Sequence, residues 1–192
     1  MERSALEMII LLCGPTGAGK TSLATVLSDQ GYSVVRETIP ADVFQQFRSE
    51  PRLHCAELQR SIIQARISAF KAIPSSEKVV FDRSVDEDTR IFCRMHFERG
   101  LLSHDEFHEL IALAETAQQV LPTPDLTIFL NGPHDGLLAR LRADSHPDAI
   151  IDSLPRQLEL YAEWIAGQPD PILQLDNTRC TLETFGKFMK GL

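Results

Sequence analysis

The sequence predicts an open α/β fold, a parallel sheet with helices on both faces. Three observations predict it. Short apolar runs alternate with longer helical patterns along the chain. The interiors of those runs are almost continuously apolar, as strands buried on both faces of a parallel sheet must be. The first run also passes straight into a glycine-rich loop and then a helical pattern.

Met8–Cys13, "MIILLC", reads as the first strand. Lys20–Gln30 is a helix closed by Gly31, a residue suited to the left-handed turn that ends helices. Ser33–Glu37 is the second strand. Leu53–Ile73 is a long helix stopped by Pro74. Lys78–Asp82 is the third strand, and Val79, Val80 and Phe81 give it a β-branched and aromatic interior. Asp86–Arg99 is a helix ended by Gly100. Ser103 opens the next helix with Glu106 three residues on, a capping box, and that helix runs to about Leu121, before Pro122. Leu126–Asn131 and Ile172–Asp176 are the fourth and fifth strands. His134–Arg142, Leu154–Ala166 and Thr181–Met189 are the remaining helices. No repeat or low-complexity tract interrupts the pattern, and residues 1–192 read as a single domain.

Bulk composition excludes several classes. The chain has 192 residues, 43% of them apolar and 24% charged, as in ordinary globular domains. Its net charge of −8 argues against a nucleic-acid polymer as partner, because backbone binding needs a basic surface. A small phosphorylated ligand needs only a local basic site. The four cysteines, Cys13, Cys55, Cys93 and Cys180, stand far apart, so neither a zinc site nor a disulfide framework is expected. A reduced cytoplasmic setting follows. "MIILLC" is too short for a signal peptide or a membrane span, and no membrane association is expected.

The chemistry begins at "GPTGAGKT", Gly14 to Thr21, which fits G-x-x-x-x-G-K-[ST] between a strand and a helix. The backbone N–H groups of Gly14, Thr16, Gly17, Ala18 and Gly19 can cradle phosphate oxygens, aided by the helix N-terminus. Lys20 reaches the β and γ phosphates, and Thr21 offers a hydroxyl to Mg²⁺. Asp82 and Arg83 follow the third strand. If that strand neighbours the first, Asp82 sits by the metal and Arg83 by the transferring phosphate, where a guanidinium stabilises developing charge. Glu37, at the end of the second strand, could accept the proton of an attacking hydroxyl.

In the long helix, Gln59, Ile63, Arg66 and Phe70 share one face. An amide, a guanidinium and two apolar groups suit a nucleobase, which wants flat apolar walls and a few directed hydrogen bonds. Asp88 could pair with Arg66 and orient it.

With these residues assembled, the chain resembles the deoxynucleoside kinase family of P-loop kinases. The carrying residues are "GPTGAGKT", Glu37, Gln59 with Arg66, and "DRSVDEDTRIF" with Asp82, Arg83 and Asp88. "RMHFERGLLSHDEFHELI", "PDLTIFLN", "LLARLR" and "LELYAEWI" continue the match over most of the chain. The resemblance implies five parallel strands in the order 2-3-1-4-5 and ATP and Mg²⁺ as the donor pair. It makes Glu37 the general base on a nucleoside 5′-hydroxyl. It sets Gln59 and the Arg66–Asp88 pair at the base, and Arg83 and Arg140 at the phosphates, with Arg142 as a further candidate. It also implies a homodimer through the helices Asp86–Arg99 and Ser103–Leu121. The departures are local. Thr38 stands where the family has Pro, and no tyrosine falls where the family contacts the sugar, although Phe44 and Phe47 lie nearby. The lid, about 142–153, is short and poor in arginine.

Three other readings stay open on the residues alone. A nucleoside monophosphate kinase of the thymidylate kinase type would need extra arginines, and Arg36, Arg48 and Arg60 are the candidates. A kinase of a small non-nucleoside metabolite would account for the missing sugar contacts. A nucleotide-binding switch with little catalysis would account for the thin lid.

Overall fold

The computed structural model describes residues 8–36, 38–73, 78–168, 172–176 and 185–186. In chain order the elements are β1 (Met8–Cys13), α1 (Lys20–Asp29), β2 (Ser33–Val35), α2 (Ala41–Ser49), α3 (Pro51–Lys71) and β3 (Lys78–Asp82). There follow α4 (Val85–Glu87), a π-helical stretch (Asp88–Cys93), α5 (Arg94–Glu98) and α6 (His104–Gln118). The chain continues with β4 (Leu126–Asn131), α7 (His134–Ala143), α8 (Asp148–Ile151), α9 (Leu154–Ala166) and β5 (Leu173–Asp176). Thr181–Met189 lies largely outside the described residues; Phe185 and Gly186 within it are helical. The residues form two compact units, the first drawn from 1–34, 75–82 and 124–192, the second from 35–74 and 83–123.

The first unit holds the sheet, whose strand order is β2-β3-β1-β4-β5, as expected. β1 pairs in parallel with β3, Met8 beside Lys78 through Leu12 beside Asp82. It also pairs in parallel with β4, Ile10 beside Leu126 through Cys13 beside Phe129. Asp125 fixes the start of this second pairing. Its carboxylate accepts the Ile9 N–H at 2.7 Å, and its own N–H donates to the Ile9 carbonyl at 2.9 Å. Ile10, Leu12, Val80, Ile128 and Leu130 of the strands pack with Leu23 and Leu27 of α1, Leu137 and Leu141 of α7, and Leu154 of α9. That continuous apolar interior is why the central strands lack alternation. β2 is shorter than Ser33–Glu37. It is an edge strand, paired on one side only, and Glu37 lies outside the described residues.

The second unit is helical. Cys55, Ala56 and Ile63 of α3 pack with Val85, Cys93, Leu102 and Leu110, Ala114 and Ala117 of α6. α6 opens with the expected capping box, in which the Ser103 hydroxyl accepts the Glu106 N–H and the Glu106 carboxylate accepts the Ser103 N–H. Those bonds, with the nearby Arg52 and Arg60, hold the Glu106 carboxyl below its usual range.

Two expectations change here. Asp86–Arg99 is not one continuous α-helix. The Thr89 hydroxyl donates to the Val85 carbonyl at 3.1 Å and to that of Asp86 at 3.2 Å. The Arg94 N–H reaches back five residues to the Thr89 carbonyl. That i→i−5 bond is the mark of a π turn, a one-turn widening inside an otherwise α-helical run. The second change is α2, which the sequence reading left out. None of its residues is fully buried, and it adds mainly Phe47 to the second core.

Two predictions follow from packing and burial. A Cβ on Gly14, whose φ is +140°, would stand 2.1 Å from the Leu130 carbonyl oxygen. Gly14→Ala should therefore cost about 2 kcal/mol or more in a urea melt. An unchanged midpoint would mean that the loop yields freely. His96 packs its ring edge-on to Phe47 at 5.6 Å, and its Nδ1 is buried without a hydrogen-bond partner among the described residues. Burial, with help from Arg99, lowers its pKa from 6.5 to about 4. The folded state thus resists a proton that the unfolded chain accepts, so stability falls as pH drops from about 6.5 towards about 4. At pH 5 the loss relative to pH 7 should be about 2 kcal/mol larger in wild type than in His96→Phe. Equal losses would remove His96 from the acid response.

Candidate active site

The glycine loop, Lys20, Thr21 and Asp82 lie in the first unit. β1 ends at Cys13, and Gly14 turns the chain where the Leu130 carbonyl leaves no room for a side chain. Gly17 and Gly19 also take positive φ, 81° and 90°, which bends the loop into the concave path that points N–H groups inward. Lys20 opens α1 and is buried, and its ammonium donates to the carbonyls of Gly14 at 2.8 Å and Pro15 at 2.9 Å. The lysine is thus folded over its own loop. Thr21 is exposed in the first turn of α1.

Register answers the condition set by the sequence. β3 does neighbour β1, and Asp82 stands beside Leu12, two residues before Gly14. Its carboxylate is buried at the carboxyl end of the sheet, where ligands of open α/β folds bind. The exposed Thr21 hydroxyl and the Asp82 carboxylate are hard oxygen donors of the kind Mg²⁺ takes in ones and twos beside phosphate oxygens.

Sequence reasoning missed Gln157 on α9. Its side-chain oxygen accepts from both the N–H and the hydroxyl of Thr16, each at 3.1 Å. Its amide nitrogen donates to the Ser153 hydroxyl at 2.8 Å, which in turn donates to the Ile150 carbonyl at 2.7 Å. Nothing local in "PRQLE" announces this. Arg140 of α7 is half-buried and Arg142 exposed, and neither guanidinium has a polar partner among the described residues. The short lid holds one helical turn, α8, entered through Ser145 at φ 55°.

The α3 face, Arg83 and Asp88 lie in the second unit. Gln59, Ile63, Arg66 and Phe70 do share one face of α3, and all four are buried. A solvated polar margin is therefore ruled out. Arg66 and Asp88 form a two-pronged ion pair, Nε to Oδ2 at 2.9 Å and Nη2 to Oδ1 at 3.0 Å, with both side chains only 2% exposed. The third nitrogen, Nη1, donates to the backbone carbonyl of Arg83 at 3.1 Å. Arg83 holds φ 71°, a left-handed conformation that costs a non-glycine residue about 1–2 kcal/mol and needs such support. Its guanidinium lies over the Phe92 ring, 4.6 Å from the centroid, and 3.6 Å from the Glu87 carboxylate.

Glu87 is a second residue the sequence reading passed over. It is fully buried and does two things. One oxygen faces Arg83, and the other accepts the Ser84 N–H at 3.0 Å, while the Ser84 hydroxyl accepts the Glu87 N–H at 3.1 Å. The S-x-x-E spacing of "SVDE" carried that signal. Glu37 lies outside the described residues.

The arginines required for a second substrate phosphate are spent or exposed. Arg60 is bound to Glu109 at 2.8 Å, and Arg36 and Arg48 face solvent. Tyr32 and Tyr161 are both buried in the first unit.

Breaking the Arg66–Asp88 pair from one side strands a buried charge. Asp88→Ala should cost about 3–5 kcal/mol in denaturant unfolding, and Arg66→Met with Asp88→Leu together should cost less than the two single changes summed. Strict additivity would show that the two side chains do not depend on each other.

Comparison with known proteins gives the family and the fold. The deoxyguanosine kinase of Lactobacillus acidophilus is 27% identical over 170 residues, 81% of this chain and 74% of that protein. The deoxyadenosine/deoxycytidine kinase of Bacillus subtilis is 27% identical over 176 residues, 87% of this chain and 81% of that one. A deoxyadenosine kinase from M. mycoides, solved with the products dCMP and dCDP, shares the fold with a TM-score of 0.79 at 19% identity, covering 96% of this chain and 97% of its own. The deoxynucleoside kinase family pattern matches residues 10–189, and the chain belongs to that family.

Proposed function

We propose that the whole chain works as one ATP-dependent deoxynucleoside kinase, passing the γ-phosphoryl group of MgATP to a nucleoside 5′-hydroxyl. The observation that carries the acceptor is the buried α3 face, with Gln59 and Arg66 two turns apart on it and Arg66 locked to Asp88. A metabolite without a base gives no reason to bury an amide and a guanidinium there. The tied-up Arg60 and exposed Arg36 and Arg48 speak against a monophosphate acceptor.

In this reading the loop amides of Gly14, Gly17 and Gly19 and the Lys20 ammonium hold the donor phosphates, while the Thr16 N–H stays on Gln157 and the Ala18 N–H on the Pro15 carbonyl. Lys20 exchanges the neutral Gly14 and Pro15 carbonyls for anionic phosphate oxygens, which a cation binds more strongly. Thr21 and Asp82 would hold Mg²⁺, which supplies charge neutralisation at the β and γ oxygens. Arg83, preset by the Arg66 clamp, and Arg140 and Arg142 stabilise charge on the transferring group. Glu37 takes the proton from the 5′-hydroxyl. Gln59 meets the base, with Arg66 and Asp88 at its edge.

No described helix is long and apolar enough to cross a membrane, and we place the enzyme in the cytoplasm, where its donor is found. We also propose a homodimer through α4 to α6, which sedimentation equilibrium would overturn by returning a monomer.

Phosphoryl transfer from MgATP across nucleosides, deoxynucleosides and their monophosphates tests the function. Transfer to deoxynucleosides alone is expected, and transfer only to monophosphates would replace the proposal. Glu37→Gln should lower kcat about a hundredfold or more with little change in ATP binding. An unchanged kcat would remove Glu37 from the chemistry.

A further inference from the structure

The Gln59 amide is not free to choose its orientation. Gln59 is buried on α3, and its side-chain oxygen receives the Cys93 thiol at 3.5 Å. Cys93 ends the π-helical stretch and is fully buried. Burial, then the Asp88 carboxylate and the Cys55 thiol, push its pKa well above the ordinary thiol value, so the group keeps its proton and remains a donor. A thiol donates and accepts only weakly. If the amide turned over, its NH₂ would face the sulfur, which accepts only weakly, and the S–H would lose the Gln59 oxygen, so the observed orientation is the favoured one.

We infer that Cys93 is a specificity-determining positioning residue: its thiol fixes the orientation of the Gln59 amide and thereby selects which class of base the site accepts. The inference rests on the reading of Gln59 as the group that meets the base.

The chemistry of the bases makes orientation decisive. Adenine and cytosine present an amino donor beside a ring-nitrogen acceptor. Guanine and thymine present a carbonyl acceptor beside a ring N–H donor. An amide can meet either pattern with its oxygen and nitrogen, but each requires the opposite orientation. A freely turning amide serves both. An amide held by Cys93 serves one, and the other class meets a mismatched donor or acceptor.

The π-helical register is what makes the contact possible. The widened turn between Thr89 and Arg94 sets where Cys93 falls relative to Asp88. Asp88 anchors Arg66, and Cys93 meets Gln59. The two polar groups of the α3 face are thus each met by one end of the same six-residue stretch.

The test compares kcat/KM for deoxyadenosine, deoxycytidine, deoxyguanosine and thymidine in wild type, Cys93→Ala, Cys93→Ser and Gln59→Ala. Thermal midpoints are recorded for each. The readout is kcat/KM for the class that wild type prefers, amino or oxo bases, divided by kcat/KM for the other class, which a general loss of packing would not move. Cys93→Ala should reduce that ratio about three- to tenfold, the worth of one modest hydrogen bond. Cys93→Ser, which keeps a donor in place, should retain it. Gln59→Ala should reduce it at least as far as Cys93→Ala. A ratio unchanged in Cys93→Ala but reduced in Gln59→Ala overturns the role of Cys93 and leaves Gln59 as the base contact. A ratio unmoved by Gln59→Ala overturns the base contact itself. A wild-type enzyme that treats both classes alike overturns the inference outright.

Discussion

A guanidinium without water organises the second unit. Arg66 is buried on α3 and has given up its hydration, so every one of its nitrogens must find an oxygen within the protein. Two find Asp88, and the third finds the backbone of Arg83. In the proposed reading, that last bond ties a residue at the base to one at the phosphates. It grips the carbonyl of a residue whose backbone is left-handed, immediately after the strand that brings Asp82 to the sheet edge. The Ser84–Glu87 capping box holds the same corner from its other side, and Phe92 and Glu87 take the Arg83 side chain. Arg83 is therefore fixed before any substrate arrives. Preset charges are worth more to phosphoryl transfer than charges that must be gathered, because little reorganisation remains for the moment of reaction.

The donor loop follows the same logic through sterics rather than charge. Gly14 is pressed against Leu130, and Gly17 packs against Leu141, so β4 and α7 shape the loop as much as its own sequence does. Gln157 pins Thr16 from α9. The loop is thus preformed, and its lysine is satisfied by carbonyls in place of phosphates.

How much of this was legible depended on whether the signal was local. The strands, the Ser103–Glu106 box and the glycine loop were readable, since each is a short pattern with one physical meaning, whereas the strand order came from the family resemblance. The α3 face was readable because its spacing is regular, although only the structure shows that it is buried. The π-helical stretch was not. "DTRIFC" carries ordinary helical propensity, and nothing in its spacing sets it apart from an α-helical turn. α2 was missed because its apolar stripe is thin and none of its residues is fully buried. The Ser84–Glu87 box could have been read, since its spacing is that of the box at Ser103. Gln157 could not, because its partner lies 141 residues away. Glu37 stays a reading of sequence and resemblance alone.

The buried pair also shapes how this protein can evolve. Arg66 and Asp88 are joined by two hydrogen bonds with almost no water around them. A lineage that alters one of them alone passes through a form carrying an unanswered charge in its interior, and such a form costs a large share of a small domain's total stability. Gradual drift at this position is closed. Descendants keep both residues, or exchange both within a short interval, or first gain stability elsewhere to survive the crossing. Any property that depends on such a pair changes in jumps.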